Sequence, residues 1–166
     1  MSISFGSTGR KPYVGSKEVQ EAYVGGQKVY GSVNKVIFHN VDGNNYEIAD
    51  YVSFGGDATI KGYFGQYHYI NIPYSDSGSN FCLLNKAGGT KLKLNARISA
   101  LTAGGGNVVF YQGSQIIGTY PITRASSSTN YQDFTIDIPS GTTRMVLNSV
   151  TGGSGNYFYI KEAEYI

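Results

Sequence analysis

Short segments in which apolar and polar residues alternate fill the chain after Lys35. In TKLKLNARIS the apolar residues Leu92, Leu94, Ala96 and Ile98 occupy every second position. The segment FTIDIP alternates in the same way through Phe134, Ile136 and Ile138. Because successive side chains of a strand point to opposite faces, both segments predict strands with one face on a core and one face in water.

Strand signals of this kind continue to the end of the chain, while helical periodicity is nearly absent. The segment YEIADYVSF, 46–54, is interpreted as one strand. Turn-rich runs such as DGNN, SDSGS, TAGGG and TGGSG separate the strands. Eight or more short strands without intervening helices predict an all-β, antiparallel sandwich or barrel.

The N-terminal region instead contains a repeat. In PYVGSKEVQEAYVGGQKVY, Tyr13, Val14 and Gly15 recur ten residues later. This spacing suits two short hairpin-like units, or one duplicated strand unit, that are too small to build a core. We expect residues 1–34 to form a separate segment and residues 35–166 to form the main domain. The segment either docks on the main domain as extra strands or attaches it to a larger assembly; disorder is the third alternative.

Composition narrows the functional class. Of 166 residues only 14% are charged, Gly numbers 23 and Tyr 15, as in many all-β binding proteins. The net charge is +2 without a basic run, so we expect no nucleic-acid partner. Cys82 lies in the apolar run FCLL and is expected to be a buried structural thiol.

Targeting signals are not evident. The start MSISFGSTGRK has neither the apolar region nor the cleavage site of a secretory signal, and no stretch approaches the ~20 apolar residues of a membrane span. We expect a product made in the cytoplasm without a signal peptide and without membrane insertion.

Catalytic motifs are also missing from the sequence. His39 and His68 are the two histidines, and neither lies in a nucleophile motif or at metal-ligand spacing. The runs TAGGGN and TGGSGN lack the Lys-Ser/Thr ending of a phosphate loop. We therefore expect a non-catalytic protein that requires no cofactor.

The phrase KPYVGSKEVQEAYVGGQKVY resembles a tyrosine–glycine repeat found at the start of tail and baseplate-associated proteins of bacteriophages and prophages of Gram-positive bacteria. This resemblance covers about a fifth of the chain. It implies a virion or phage-tail component, with other virion tail proteins as partners.

The remainder, from about Lys35 to Ile166, resembles the jelly-roll β-sandwich of family 6 and family 35 carbohydrate-binding modules. The matching phrases follow the family order: YEIADY, AGGTKLKLNARIS, NVVFYQGSQIIGTYPIT, NYQDFTIDIPSGTTRMVL and GGSGNYFYIKEAEYI. The chain departs from these families in having no Trp, the residue that usually holds the sugar together with a tyrosine. The resemblance implies an antiparallel jelly-roll β-sandwich with a short N-terminal hairpin-like segment.

The resemblance also implies ligand-binding residues. Asn156 matches an asparagine that hydrogen-bonds a sugar, and Tyr131 takes the place of a loop aromatic that stacks on it. Tyr67 and Tyr69 are the candidates for the opposing aromatic. Each tyrosine has an alternative role as a rim or core residue with a satisfied hydroxyl.

A structural calcium ion is a further expectation. Because first and last strands are neighbours in this fold, Glu47 could approach Glu162 or Glu164 and supply oxygen ligands. The alternative is that these are ordinary solvated carboxylates. DGNN, 42–45, lacks EF-hand spacing and is better interpreted as a turn.

Two functions follow. The first is a non-catalytic carbohydrate-binding module of a phage or prophage tail appendage that recognises host-surface polysaccharide through tyrosine stacking and amide hydrogen bonds. The second is a structural or assembly protein of the virion, in which the jelly roll makes protein–protein contacts, including those of a homo-oligomer.

Overall fold

The chain divides into two compact units, Met1–Val33 and Asn34–Ile166. In this computed structural model the described residues are 35–85, 88–99, 105–123, 130–151 and 155–166, together with the backbone of four short strands before residue 31. The role expected for the N-terminal segment, attachment or docking, stays a prediction.

The first unit contains two antiparallel hairpins. Strand β1 (Tyr13–Val14) pairs with β2 (Lys17–Glu18), and β3 (Ala22–Val24) pairs with β4 (Gln27–Tyr30). Each copy of the YVG phrase therefore begins one hairpin, and the prediction of hairpin-like units is confirmed.

The second unit is built entirely from strands in its described residues. In chain order these are β5 (Val36–Asn40), β6 (Tyr46–Ile48), β7 (Val52–Gly55), β8 (Thr59–Tyr63), β9 (Tyr67–Pro73), β10 (Phe81–Leu84), β11 (Lys91–Ser99), β12 (Gly105–Gln112), β13 (Gln115–Thr123), β14 (Gln132–Asp137), β15 (Arg144–Thr151) and β16 (Tyr157–Tyr165). The described part of the chain contains no helix long and apolar enough to cross a membrane.

These strands form two antiparallel sheets. The five-stranded sheet has the order β13-β12-β15-β10-β7. The seven-stranded sheet has the order β14-β11-β16-β5-β6, and β9 also pairs with β16 and carries β8 on its other edge. The predicted fold class, an all-β antiparallel sandwich of the jelly-roll type with an N-terminal hairpin segment, is confirmed.

The core lies between the two sheets. Leu92, Leu94 and Ala96 of β11 are fully buried, as their alternation predicts, and Met145 and Leu147 of β15 on the other sheet belong to the same core cluster. Burying side chains of this size stabilises the fold by about 1.5–3 kcal/mol each. The charged residues between the buried positions of β11 are left on the outer face of the seven-stranded sheet.

The segment YEIADYVSF does not form the single strand that its pattern predicts. Its first part is β6 in the seven-stranded sheet, and its second part is β7 in the five-stranded sheet. A turn at Asp50 and Tyr51 separates them, closed by the Val52 amide donating to the Ala49 carbonyl at 3.1 Å. The chain thus crosses from one layer to the other inside a continuous strand-like pattern.

Candidate functional site

Aromatic side chains gather on the outer face of the seven-stranded sheet. On β9 the inward positions are Ile70 and Ile72, which are buried, so Tyr67 and Tyr69 point outward. We call this surface the tyrosine face. It consists of Tyr63, Phe64, Tyr67, Tyr69, Tyr131, Tyr157 and Tyr159, with Arg97 and Lys161 among the rings.

The strand register shows that the tyrosine face extends across neighbouring strands of the sheet. Tyr159 on β16 lies opposite Asn71 on β9 and opposite Arg97 on β11. Asn71 in turn lies opposite Thr59 on β8. Directly opposed residues point to the same side, so one outward row runs over four strands.

The rings contact one another in a continuous series. The ring centroids of Tyr67 and Tyr69 are 6.3 Å apart, and those of Tyr69 and Tyr159 are 5.1 Å apart at 90°. Tyr157 stacks on Tyr159 at 5.6 Å with an interplanar angle of 8°. These are the offset and edge-to-face arrangements that aromatic quadrupoles favour, so the rings fix one another in place.

Tyr131 joins the face from the opposite side. It precedes β14, which is separated from β9 by β11 and β16. Three strand spacings in a flat sheet amount to about 14 Å. The Tyr67 and Tyr131 ring centroids are nevertheless 6.0 Å apart. The two side chains therefore lean toward each other across the intervening strands.

Two cations lie against these rings. The guanidinium carbon of Arg97 is 5.1 Å from the Tyr131 ring centroid and 4.6 Å from that of Tyr159. The Lys161 Nζ is 4.8 Å from the Tyr67 centroid. These distances fall within the range of cation–π attraction, which holds the charged groups at the face.

Lys161 lies in a β-bulge of β16 and is outward because it follows the inward Ile160. Asn95 lies opposite Glu162 and Ala96 lies opposite Ile160, so Lys161 has no opposing residue on β11. The inward positions of β16 are consequently three residues apart at this point, Ile160 and Ala163. Bulges of this kind turn a side chain to a new direction and are frequent beside functional sites.

The side chain of Asn40 holds the bulge. At this point β16 changes its partner from β9 to β5. The Asn40 Nδ2 donates to the carbonyl of Lys161 and to the carbonyl of His68, each at 3.0 Å. One amide therefore bridges the ends of two pairings and fixes the backbone that carries Lys161.

The phenols of Tyr69, Tyr131 and Tyr159 have raised pKa values and remain protonated at neutral pH. Burial raises the pKa of Tyr131, and the nearby Tyr67 phenol raises it further, while the Arg97 guanidinium opposes the shift. Burial is also the largest cause of the raised pKa of Tyr69 and of Tyr159. Each of these three tyrosines thus has a neutral hydroxyl that can both donate and accept a hydrogen bond.

The β8–β9 hairpin ends the face with an exposed ring. Phe64 is 88% exposed, and its φ of 45° is followed by a φ of 70° at Gly65. Positive φ at both central residues is the signature of a type I′ turn, in which Phe is uncommon. The Phe64 ring lies edge-on to Tyr63, at 4.9 Å between centroids.

The structure brings together three of the four residues predicted to bind a ligand: Tyr67, Tyr69 and Tyr131. Asn156 is different, since it is 1% exposed and its backbone carbonyl accepts from the Tyr74 amide at 2.9 Å. A buried side chain is not presented to a ligand, and a binding role for Asn156 stays an untested prediction.

Asn71 is a second buried amide, and it lies on the outward row of the tyrosine face. It is 2% exposed, and its Nδ2 has no hydrogen-bond partner among the described residues. A buried donor without a partner costs about 1–3 kcal/mol, but the Asn71 side chain is no more presented to a ligand than that of Asn156. The signal of Asn71 in the sequence is its outward position two residues after Tyr69.

The expected calcium ligands are spread over two strands. Glu162 and Glu164 lie on β16 and line a cleft of about 230 Å³ with His39 and Lys93. The Glu164 carboxylate is 3.1 Å from the Lys93 Nζ. Glu47 lies on β6, opposite His39.

No group of three or more His, Cys, Asp or Glu side chains among the described residues is arranged to hold a metal ion. The Asp42 carboxylate accepts from the amides of Asn44 and Asn45 at 2.8 and 2.9 Å, so DGNN forms a turn as expected. The structural calcium stays an untested expectation.

The fold has clear counterparts among solved structures. A family 29 carbohydrate-binding module matches with a TM-score of 0.55 and 15% identity, over 78% of this chain and 86% of its own. A mutant of such a module, described as complexed with cellulohexaose, matches with a TM-score of 0.54 and 15% identity, over 78% and 87% of the two chains. Another, described as complexed with mannohexaose, has a TM-score of 0.54 and 14% identity, over 78% and 89%.

No protein-family model matches the sequence, and no protein of curated function matches it either. At this level of identity the similarity establishes a shared fold, that of a carbohydrate-binding-module β-sandwich. These three structural neighbours belong to family 29, whereas the sequence resembles families 6 and 35. The expectation of a non-catalytic protein agrees with these neighbours.

Proposed function

We propose that the chain is a non-catalytic carbohydrate-binding protein whose tyrosine face binds a polysaccharide. The observation that carries this proposal is the clustering of outward-facing rings from β9, β16 and the start of β14 on one sheet. Among the described residues, the outer face of the other sheet has the Tyr111 ring, with the Arg144 guanidinium carbon 4.3 Å from its centroid, but no series of rings in contact.

The chemistry of the face suits a sugar chain. A pyranose presents a C–H surface that packs on an aromatic ring, and its hydroxyls need donors and acceptors at the ring edges. Tyr69, Tyr157 and Tyr159 supply rings and hydroxyls together. Because the ring series extends over several strands, we expect consecutive sugars of one chain to contact it.

We further propose that the polysaccharide belongs to a host cell surface and that the chain is displayed on a phage or prophage tail. Support comes from the resemblance of the YVG repeat to tail-associated proteins. A single shallow sugar site binds weakly, on the order of millimolar, and display of several copies raises the overall affinity. The N-terminal hairpins would then attach the binding domain to other tail proteins.

The proposal is tested by displaying several copies of the chain on one carrier and titrating this multivalent form with host cell-wall polysaccharide. Tyr69→Ala and Tyr159→Ala should each weaken binding about fivefold or more, since each removes ring contact worth about 1 kcal/mol or more. Tyr120→Ala is the matched control, because Tyr120 is also an exposed strand tyrosine, at 39%, but lies on β13 of the other sheet. Equal binding by all three variants, or none by the parent chain, would rule the proposal out.

An assembly role is the second candidate, and the exposed Phe64 favours it. An apolar ring 88% exposed at a hairpin tip is typical of a protein contact as well as of a sugar contact. If the face is an interface between copies, the solution mass should correspond to an oligomer, and Phe64→Ser should shift it to the monomer. A monomer at all concentrations would exclude an interface between copies of the chain.

A further inference from the structure

The tyrosine face carries more positive than negative charge at its centre. Arg97 and Lys161 lie against the rings, and Lys61 on β8 points the same way because it lies opposite Tyr69. Neither lysine forms an ion pair with any residue in the described part of the chain.

Acidic residues occur on the same sheet, but beyond this centre and mostly with partners. Glu164 is paired with Lys93, and the Asp133 carboxylate accepts from the Asn95 Nδ2 at 2.8 Å. Glu162, which follows Lys161, is the exposed acid nearest in the chain to the rings. The ion pairs and hydrogen bonds that hold acidic side chains elsewhere on the sheet therefore leave the charge of the lysines at the rings uncompensated.

We infer that the polysaccharide bound by the tyrosine face is anionic, and that Lys161 and Arg97 contact a carboxylate or phosphate of its repeating unit. This inference rests on the proposed function and names the class of ligand. Lys161 lies outward by alternation with Ile160, and the Asn40 amide fixes the backbone that carries it, so its ammonium group lies where a sugar chain would lie.

The surroundings strengthen such a contact. The rings against Arg97 and Lys161 shield these side chains in part from water, and a charge pair is stronger where the effective dielectric constant is lower. Arg97 adds a second positive charge beside the same rings, at 4.6 Å from the Tyr159 centroid. A neutral sugar chain would gain nothing from these charges beyond ordinary hydrogen bonds.

The test measures binding of the full chain to paired polymers. Polygalacturonate and hyaluronan are each compared with their carboxyl-reduced forms, and poly(glycerol phosphate) provides the phosphate arm. At least one anionic polymer should bind about tenfold more tightly than the neutral polymers. The preference should shrink as salt rises, because screening weakens the charge contact. Preference within the panel distinguishes carboxylate from phosphate.

Charge variants complete the test. Lys161→Gln should weaken binding of the preferred anionic polymer about fivefold, Lys161→Arg should retain it, and Glu162→Gln should tighten it. Lys91→Gln is the matched control, since Lys91 is an outward lysine of the same sheet that pairs with Asp137 at 2.7 Å. A merely structural role of Lys161 would not produce opposite signs at neighbouring residues.

Two results would overturn the inference. If the carboxyl-reduced polymers bind as tightly as the anionic ones, and Tyr69→Ala abolishes that binding, the ligand is neutral while the proposed function stands. If no polymer binds, the proposed function and the inference both fall. An effect of Lys161→Gln no larger than that of Lys91→Gln counts against the inference in either case.

Discussion

At the scale of the residue, Cys82 shows how burial in the core changes the chemistry of a side chain. Its side chain is 1% exposed within the five-stranded sheet, and burial raises the pKa of its thiol from 9.0 to about 12. The thiolate is the reactive form of cysteine. In the folded protein Cys82 is therefore protected from reaction, because reagents cannot reach the thiol and because it keeps its proton. This agrees with the structural role expected from its apolar sequence context.

We predict that the free energy of unfolding decreases as pH rises from 9 toward 12. The sign follows because the unfolded thiol ionises above its usual pKa while the folded thiol keeps its proton, and ionisation favours the unfolded state. The contribution is at most about 1.4 kcal/mol per pH unit. Urea denaturation at a series of pH values measures it.

Cys82→Ala is the control variant for this prediction. It should be less stable at neutral pH because it leaves a small cavity, but its stability should decrease less steeply with pH. Tyrosines with raised pKa, such as Tyr165, affect both proteins equally. Parallel pH profiles, or rapid labelling of the thiol in the folded protein, would contradict this account of Cys82.

At the scale of the element, the β8–β9 hairpin carries an exposed ring at a strained position, which lowers its stability. Its Tyr63 carbonyl accepts from the Gln66 amide at 2.8 Å, which closes a turn with positive φ at Phe64 and Gly65. The backbone of this turn packs against the 41–45 loop, since a Cβ added to Gly43 would lie 1.9 Å from the Gly65 carbonyl oxygen. The turn is therefore held in place while Phe64 is strained.

Phe64→Asn should raise the free energy of unfolding by about 0.5–1 kcal/mol, because Asn-Gly is the preferred pair in a type I′ turn and Phe is not. The same variant should bind the polysaccharide less tightly, as expected when a strained residue serves function. Thermal denaturation and titration measure the two effects. Tyr120→Asn, which removes an exposed ring from a strand without positive φ, should give no gain in stability.

A loss of stability in Phe64→Asn would mean that the ring is part of the packing and not a strained, exposed contact. Unchanged binding would place Phe64 outside the site.

Some elements could be predicted from the sequence and others could not, for identifiable reasons. The faces of β11 and β14 are evident because polar and apolar residues alternate cleanly. In β16, YFYI is aromatic or apolar on both sides, and tyrosine suits a core as well as a surface, so the outward positions of Tyr157 and Tyr159 depend on pairing with β9 and β11. The crossing between the two sheets after Ala49 is not evident from the sequence either, because YEIADYVSF keeps a strand-like pattern of aromatic and apolar residues across it.

The candidate site could be predicted in part. Tyr67, Tyr69 and Tyr131 were expected together, and their rings meet. Lys161 was missed, although the spacing of Ile160 and Ala163 breaks the alternation of the strand and is a sequence signal for a bulge. Asn156 was expected to reach a ligand because the resemblance suggested it, and no pattern in the sequence indicates that it is buried.

At the scale of the whole molecule, the two units differ in what stabilises them. Every residue of the described core cluster belongs to the second unit, from Ile37 to Tyr165. The described strands of the first unit form hairpins with two to four residues per strand, and isolated hairpins are marginal in water. The second unit therefore has the means to fold without the first.

We predict that deletion of residues 1–34 leaves a protein that unfolds cooperatively and binds the same polysaccharide with unchanged single-site affinity. Denaturation and titration of the truncated chain test this. Loss of a cooperative transition would mean that the hairpins belong to the core of the main domain. If the truncated protein also loses any assembly seen with the full chain, the attachment role gains support.

Whether the tyrosine face binds a sugar chain is best decided by a map of perturbed backbone amides. The nitrogen-15-labelled chain is titrated with oligosaccharides of the polymer that it binds best. We expect the shifted amides to cluster on β9, on β16 and around Tyr131. Shifts confined to the outer face of the five-stranded sheet around Tyr111, or to the N-terminal hairpins, would refute this mode of binding.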